Sequence, residues 1–300
     1  MKKLFCAALL GMLLCAAPAM ADPTPVPVVA SFSILGDMVK TIGGDAVSVK
    51  ILVGPNSDTH TYQPTPDDAK TITDAKIVFV NGLGFEGWMQ RLIESSGYKG
   101  PVVTASNGVN PRTMMDDGAK ITDPHAWQDL SNGRMYVRNI AAALEQQIPD
   151  QAAAIRARAE KYDGQLADMD VQVKKQFAEI PAAQRKIITS HDAFGYFGAA
   201  YGMKVLAPIA GNTEAEPNAA DVAQIGDQMK REGIKTIFLE NMINPRLVEQ
   251  LAKDAGAKVG GTLYSDALSA PGEAAPTYLD MFKNNIPKMR AAMLEIGTGK

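Results

Sequence analysis

Three histidines and one aspartate are the residues of this chain best suited to binding a metal ion. The sequence of 300 residues contains three histidines, His60, His125 and His191, and each lies in or beside a loop at a predicted strand end. Asp266 lies two residues beyond the end of another predicted strand. Each of these residues alone is more typical of a hydrogen-bonded polar side chain than of a ligand. Because two come from each half of the chain, we expect them to line one cleft between the halves.

Three imidazoles and one carboxylate form a four-coordinate set of three nitrogens and one oxygen. Such a set suits Zn²⁺, which takes these ligands in tetrahedral sites. Mg²⁺ and Ca²⁺ prefer shells made of oxygen. Manganese and iron stay open, because geometry and availability decide among transition metals as much as affinity does. The residue types therefore predict a transition-metal site, with zinc as the first expectation.

An internal repeat supplies the elements that position these residues. A constant offset of 159 residues aligns 28–31 with 187–190, 76–81 with 235–240, and 106–107 with 265–266. In each half, short apolar runs alternate with helical patterns, which is typical of βαβ units and a mainly parallel sheet. We predict strands at 26–31, 47–53, 76–81, 101–105, 186–190, 204–209, 236–240 and 258–264. The predicted fold class is α/β, with two lobes that each hold a mainly parallel sheet flanked by helices.

One long helix is predicted between the lobes. Residues 150–180 contain no proline and a single glycine, Gly164, and apolar residues recur at spacings of three and four. This spacing places them on one helix face. Asp150 can cap the start of the helix, and Pro181 ends it. We expect a spine helix that bridges both lobes; a dimerising coiled coil is the alternative, although the apolar stripe spans few heptads.

The first 21 residues have the features of an export signal. A basic start precedes an apolar run at residues 4–14, and the tripeptide that ends at Ala21 has the small-x-small pattern of a cleavage site. We expect cleavage after Ala21 and a mature periplasmic chain without cysteine, since Cys6 and Cys15 lie in the removed segment. Lipid attachment at Cys15 and an N-terminal membrane anchor are the alternatives.

The composition is that of a globular chain. Hydrophobic residues make up 46% and charged residues 21%, which excludes a disordered chain. The net charge of −3 argues against nucleic-acid binding, which requires a basic face. The predicted division is an export signal at 1–21, an N-terminal lobe at 22–149, a linking helix at 150–180 and a C-terminal lobe at 181–300.

Two further patterns have ordinary structural interpretations. Residues 82–87 spell G-x-G-x-x-G, but they follow the third strand of their lobe, and no acidic residue stands where a ribose contact is expected. We interpret them as a tight turn. Asn81 and Glu240 end equivalent strands, and we interpret both as capping and turn residues, with support of the ligands as the alternative. Trp127 and Tyr62, which flank ligands, are expected to be lid or core residues.

Four short motifs give the chain a resemblance to a known family. They are His60-x-Tyr62-x-Pro64, Asp123-Pro124-His125-x-Trp127, the segment Ser-His-Asp-Ala-Phe-Gly-Tyr-Phe at 190–197, and Tyr264-Ser265-Asp266. With them the chain resembles, over essentially its mature length, the metal-specific solute-binding proteins of bacterial ABC transporters that import zinc or manganese (bacterial solute-binding protein family 9). The resemblance implies metal ligands at His60, His125, His191 and Asp266, and two lobes bridged by one long helix.

The resemblance also implies a function. Members with histidine at the third ligand position, here His191, look like zinc binders, whereas manganese importers tend to carry a carboxylate there. We therefore expect a periplasmic binding protein that captures Zn²⁺ as transported substrate and delivers it to a membrane permease with a separate ATPase. A manganese- or iron-binding member is the alternative. The expected protein is a monomer that binds no nucleic acid; a metal donor protein is left open. Residues 110–123 lack the histidine-rich loop of many zinc members.

A zinc-dependent hydrolase is the second function class. Three protein ligands plus water also describe catalytic zinc. However, the chain has neither an H-E-x-x-H nor a G-x-S-x-G motif, and no glutamate adjoins a candidate histidine ligand as a general base. We expect a binding protein with no catalytic residues. Motion linked to the metal is expected in the loop at residues 54–66, because its glycine, proline, serine, asparagine and aspartate favour mobility.

Overall fold

The structure is a computed structural model that describes residues 24–116, 118–209, 213 and 219–296. The predicted export signal at 1–21, with Cys15, lies outside the described residues. No helix in these described ranges is both long and apolar enough to cross a bilayer.

The first lobe is built on a four-stranded parallel sheet. Its strands are β1 (Val26–Phe32), β2 (Val47–Val53), β3 (Ile77–Val80) and β4 (Val102–Thr104), in the order β2-β1-β3-β4. Helices α1 (Ser33–Gly43), α2 (Pro66–Thr73) and α3 (Met89–Ser96) connect the strands. The central strands β1 and β3 are almost wholly apolar and buried, as expected where helices cover both faces of a parallel sheet.

The second lobe repeats this arrangement. Its strands are β7 (Lys186–Ile188), β8 (Lys204–Leu206), β9 (Thr236–Glu240) and β10 (Lys258–Leu263), in the order β10-β9-β7-β8. Helices α6 (Gly195–Tyr201), α7 (Ala219–Glu232), α8 (Arg246–Ala255) and α9 (Tyr278–Leu294) accompany them. Taken by place in the chain, both sheets run second, first, third, fourth. The two-lobed α/β prediction is confirmed, and each predicted strand is present with ends that differ by no more than three residues.

A small hairpin in the first lobe was not expected from the sequence. β5 (Thr113–Asp116) and β6 (Ala119–Thr122) pair in antiparallel register, and α4 (Leu130–Gln147) follows. Met114 is the one side chain of the hairpin that is buried among those described in its strands. With so little apolar alternation, the segment carries no strand signal of the kind that marks a half-buried sheet.

The spine helix is α5 (Ala152–Ala178), with 27 residues and a length of about 40 Å. Its buried residues are those of the predicted stripe: Ile155, Ala159, Tyr162, Leu166, Val173 and Phe177. The helix contacts α1 and α4 in the first lobe and α6 and α9 in the second. Asp150 does not cap it as predicted, because a 3₁₀ turn at Pro149–Gln151 precedes the helix and Gln151 is the N-cap. The bridge between lobes is thus confirmed.

Candidate metal centre

The four predicted ligands lie on segments that face each other across the cleft. His60 lies in the loop between β2 and α2, and His125 follows the β5–β6 hairpin. His191 and Asp266 each lie three residues beyond the end of a second-lobe strand, β7 and β10. His191 is held next to Ile209 by an isolated parallel bridge. Ligands commonly bind near the carboxyl ends of parallel strands, and these loops occupy such positions.

The side chains of these four residues converge on one point. Their donor atoms all lie within 4.8 Å of one another. Oδ2 of Asp266 is 3.2 Å from Nε2 of His60, 3.6 Å from Nε2 of His125 and 3.0 Å from Nε2 of His191. Metal–nitrogen bonds of about 2.0–2.1 Å in a tetrahedral site place donors about 3.3 Å apart. The cluster therefore already has spacing suited to a single ion.

Burial differs among the four ligands. The side chains of His125, His191 and Asp266 have no exposed surface, whereas that of His60 is 6% exposed. The Oδ1 atom of Asp266 is buried and has no hydrogen-bond partner among the described residues. A buried carboxylate oxygen without a partner is costly, unless a cation or donor satisfies it. Asp266 can therefore offer a metal two oxygens.

Opposite charges set the protonation of this cluster. Burial alone lowers the pKa of His125, but the carboxylates of Asp266 and Asp123 outweigh burial and raise that pKa to about 9. Burial also lowers the pKa of His191, yet the Glu240 and Asp266 carboxylates hold it well above its usual range. Burial raises the pKa of Asp266, and the positive charges of His125 and His191 overcome this and hold it well below its usual range. Burial is thus outweighed in this cluster by the attraction between Asp266 and its two buried histidine neighbours, His125 and His191.

A second carboxylate orients each buried histidine. Oδ1 of Asp123 lies 2.9 Å from Nδ1 of His125 and accepts a hydrogen bond from its backbone N–H at 3.0 Å. Glu240 does the same for His191: its Oε2 lies 2.6 Å from Nδ1, and its Oε1 accepts from the backbone N–H at 2.9 Å. Such contacts fix the ring so that Nε2 faces the metal. Glu240 is a turn residue as predicted, since its carbonyl accepts from the Ile243 N–H at 3.1 Å, and its side chain also holds the candidate ligand His191.

The G-x-G-x-x-G segment forms a turn that supports the first-lobe ligands. Glu86 folds back so that its buried carboxylate accepts hydrogen bonds from the backbone N–H groups of Asn81 and Gly82, at 2.6 and 3.2 Å. The backbone N–H groups of Asn81 and Gly82 therefore donate to Glu86 and are not free to bind a phosphate. The Asn81 side chain donates to the carbonyl of Pro124, the residue before His125, at 3.0 Å. The predicted turn is confirmed, and Asn81 also holds the segment that carries the candidate ligand His125.

The aromatic residues beside the ligands do not contact the metal position. Trp127 is fully buried, and its indole N–H donates to the Ser265 carbonyl at 2.8 Å. Tyr62 is half-buried, and its hydroxyl donates to Asp68 at 2.8 Å. Trp127 is therefore a core residue that links the lobes.

The arrangement of carboxylates also bears on hydrolysis. Glu240 lies 2.6 Å from Nδ1 of His191, the ring nitrogen that faces away from Asp266. A general base must reach a water on the metal side of the ring. This geometry favours holding an ion over activating water.

The family model of the zinc-uptake complex component A, periplasmic, matches residues 28–292. The chain belongs to this family. Its members are the substrate-binding proteins of metal ABC transporters, which are not enzymes.

Individual relatives cover most of the chain. The manganese-binding lipoprotein MntA of Halalkalibacterium halodurans is 34% identical, over 88% of this chain and 87% of its own. The iron-binding protein YfeA of Yersinia pestis is 32% identical, over 86% of this chain and 83% of its own. The solved structure of the periplasmic zinc-binding protein TroA from Treponema pallidum is 29% identical, with a TM-score of 0.84, over 90% of this chain and 99% of its own. Like these lipoproteins and periplasmic proteins, the chain is exported.

Proposed function

We propose that the chain captures one divalent transition-metal ion with His60, His125, His191 and Asp266 and delivers it to a membrane permease driven by a separate ATPase. The observation that carries this proposal is the convergence of four donors from both lobes within 4.8 Å. Asp123 and Glu240 strengthen it, because each orients a histidine in the manner of metal-site supports. The ion is the transported substrate, so no chemical step follows its binding.

We propose manganese as the physiological cargo, with iron next. The relatives that are 34% and 32% identical are named for manganese and iron, which favours these metals over the zinc expected from His191. The unpartnered Oδ1 of Asp266 supports a larger coordination number than a tetrahedral zinc site uses. Carboxylate oxygen is also a ligand that suits manganese.

Zinc is the second candidate, and two observations favour it. The third ligand position is an imidazole, His191, and the separations of 3.0–3.6 Å between Asp266 and the histidines match the edges of a tetrahedron. The matching family model and the Treponema protein are also named for zinc. Since zinc binds most nitrogen and oxygen sites more tightly than manganese, affinity in vitro does not by itself identify the cargo.

Metal accumulation in cells therefore tests the proposal most directly. Cells that lack this chain are supplied with radioactive manganese, iron or zinc, each with and without the other two in excess. We expect manganese uptake to fall in these cells and to return with the wild-type chain but not with His125→Ala. A defect in zinc uptake alone would assign zinc as the cargo. If purified protein bound no stoichiometric metal, the metal-binding function itself would be wrong.

The form in which the protein is exported is a separate proposal. We propose cleavage after Ala21 and release into the periplasm as a monomer, because the residue before Cys15, Leu14, is bulky where lipid-processing sites prefer a small residue. The mass of the mature protein from the envelope decides between the possibilities. An N-terminus at Asp22 supports cleavage after Ala21, whereas a diacylated N-terminal Cys15 contradicts it.

A further inference from the structure

The loop that carries His60, residues 54–65 (the His60 loop), is attached to the second lobe through Asn56. The backbone N–H of Asn56 donates a hydrogen bond to the Leu268 carbonyl at 2.9 Å. Its side-chain Oδ1 accepts from Nδ2 of Asn241 at 2.8 Å, and its Nδ2 donates to the Glu273 carboxylate at 3.2 Å. A single loop residue thus makes three hydrogen bonds to the opposite lobe.

Asn241 connects this contact to the other ligands. It directly follows Glu240, the partner of His191, and its Nδ2 also donates to the carbonyl of Ala267, the residue after the aspartate ligand, at 3.2 Å. Carbonyl and carboxylate groups only accept hydrogen bonds, so they determine which way both amides face. The pair of Asn56 and Asn241 therefore joins the His60 loop to the segments that carry the second-lobe ligands.

The backbone of Asn56 is suited to this position. Its φ of +54° lies in the left-handed region, which asparagine and glycine enter more readily than other residues. The side chain is exposed, so water competes for its two hydrogen bonds. Such contacts hold a loop in place and still break without exposing a buried polar group.

The His60 side is also the open side of the site. A cavity of about 510 Å³, lined by His60 and by Tyr62, Trp88 and Arg91 among others, reaches this ligand from the surface. The other three ligand side chains have no exposed surface. His60 is therefore the one of the four candidate ligands that lies closest to solvent.

We propose that Asn56 is a positioning residue that holds His60 in coordination distance and thereby sets the rate at which the metal leaves. The inference rests on the proposed function, since it requires an ion bound by His60. Asn56 does not touch the ion; it acts through the position of the loop. A second contact assists it, because the Thr213 hydroxyl donates to Asp58 at 2.5 Å, and Asp58 accepts from the His60 N–H at 2.9 Å.

The first test compares Asn56→Gly with the wild-type mature protein. Glycine keeps the left-handed backbone and the N–H that binds Leu268, and removes only the side-chain contacts. Each protein is loaded with Mn²⁺, and release is followed after mixing with excess chelator. Loss of two exposed hydrogen bonds should speed release about tenfold. Ser57→Ala is the matched control, because the Ser57 side chain donates to the Pro55 carbonyl of its own loop, and this variant should release at the wild-type rate.

A rescue experiment separates this role from a general effect on the loop. Asn56→Asp keeps the acceptor for Asn241 but places a carboxylate against Glu273, so it should release the ion rapidly. Adding Glu273→Gln supplies a donor to the new carboxylate and should restore slow release. Rapid release by the double variant would contradict the proposal.

A second background tests whether Asn56 acts through His60. In His60→Ala the metal has already lost the loop ligand, so adding Asn56→Gly should leave the faster release rate unchanged. A further acceleration would mean that Asn56 acts on the lobes as a whole. If the wild-type protein bound no metal, the proposed function would fail; if it bound one ion and Asn56→Gly released it at the wild-type rate, this inference alone would fail.

Discussion

Two parts of the candidate site hold their ligands in different ways: one side carries His125 and Asp266, and the other carries His60. On one side, here called the fixed side, Trp127 and Gln128 each donate a buried hydrogen bond of 2.8 Å to the Ser265 carbonyl. Trp127 and Gln128 lie two and three residues after His125, and Ser265 directly precedes Asp266. The His60 loop instead depends on exposed contacts of Asn56. One side therefore supplies a preformed part of the site, and the other supplies a ligand that can depart.

The largest expected effect is on the fixed side. Asp266→Asn should weaken metal binding by more than about 100-fold, because Asp266 provides the only negative charge among the four donors and outer partners alone typically contribute 10- to 100-fold. His60→Ala should weaken it less and mainly speed release. Competition titration against a chelator measures both, with circular dichroism as the control for folding. Equal losses in the two variants would remove the distinction between the sides.

The pH dependence of binding should also reflect the fixed side. The pKa of His125 is raised to about 9 by Asp266 and Asp123, so below that pH the metal must displace a proton. Affinity should fall about tenfold per pH unit for each displaced proton as pH drops from 9 towards 6.5. The sequence alone predicts that metal affinity falls near pH 6.5, the usual pKa of histidine. Titration at several pH values, with proton release measured in two buffers, checks this; constant affinity over the range would contradict it.

Glu240→Gln should have an intermediate effect. The substitution removes the charge beside Nδ1 of His191 while a side-chain oxygen remains for the backbone N–H. We expect about a tenfold loss of affinity, as for other partners that orient metal-binding histidines. Glu249→Gln on α8 is the matched control and should bind like the wild type. An unchanged affinity in Glu240→Gln would show that His191 is positioned by its backbone alone.

The stability of the metal-free protein should change with pH in the opposite direction to metal affinity. A histidine whose pKa rises on folding stabilises the folded state. This stabilisation is fully present when the pH is below about 6.5, the pKa of histidine in the unfolded chain, and it is lost as the pH rises to about 9, the pKa of His125 in the folded protein. The melting temperature of demetallated protein should therefore drop over this interval. His125→Gln should remove the part of the drop that His125 causes. An identical pH profile in this variant would exclude His125 as its source.

The smallest expected effect is local. Metal binding should slow amide hydrogen exchange in the His60 loop more than in residues 125–128, because the buried contacts of the fixed side already protect the latter. Exchange measured by mass spectrometry with and without Mn²⁺ checks this. Equal protection of both segments would mean that the loop is as rigid as the fixed side, and that the contacts of Asn56 do not control release.

Much of the architecture could be predicted because it depends on patterns that burial imposes. Parallel strands covered on both faces must be apolar runs, and the repeat at 159 residues indicated two lobes of similar build. The ligand positions could be proposed because the chain has three histidines to choose from. The hairpin formed by β5 and β6 was missed, since the adjacent Met114 and Met115 break the alternation that marks a buried face.

The supporting residues could not be predicted from spacing. Glu240 and His191 are 49 residues apart, and a glutamate at a strand end is equally compatible with an ordinary turn. Asn56 lies among turn-forming residues in an exposed loop, so nothing in its neighbourhood indicates that Asn241, 185 residues away, is its partner. Such contacts arise when two lobes meet, which is a property of the assembled fold rather than of any local segment.

The spine helix limits how the loaded protein can be distinguished by its transporter. Because α5 packs against helices of both lobes, the angle between the lobes is fixed by one continuous rod. Loaded and empty forms should therefore have nearly the same small-angle scattering profile. A permease that discriminates between them must detect the local conformation around the cleft rather than the outline of the whole molecule.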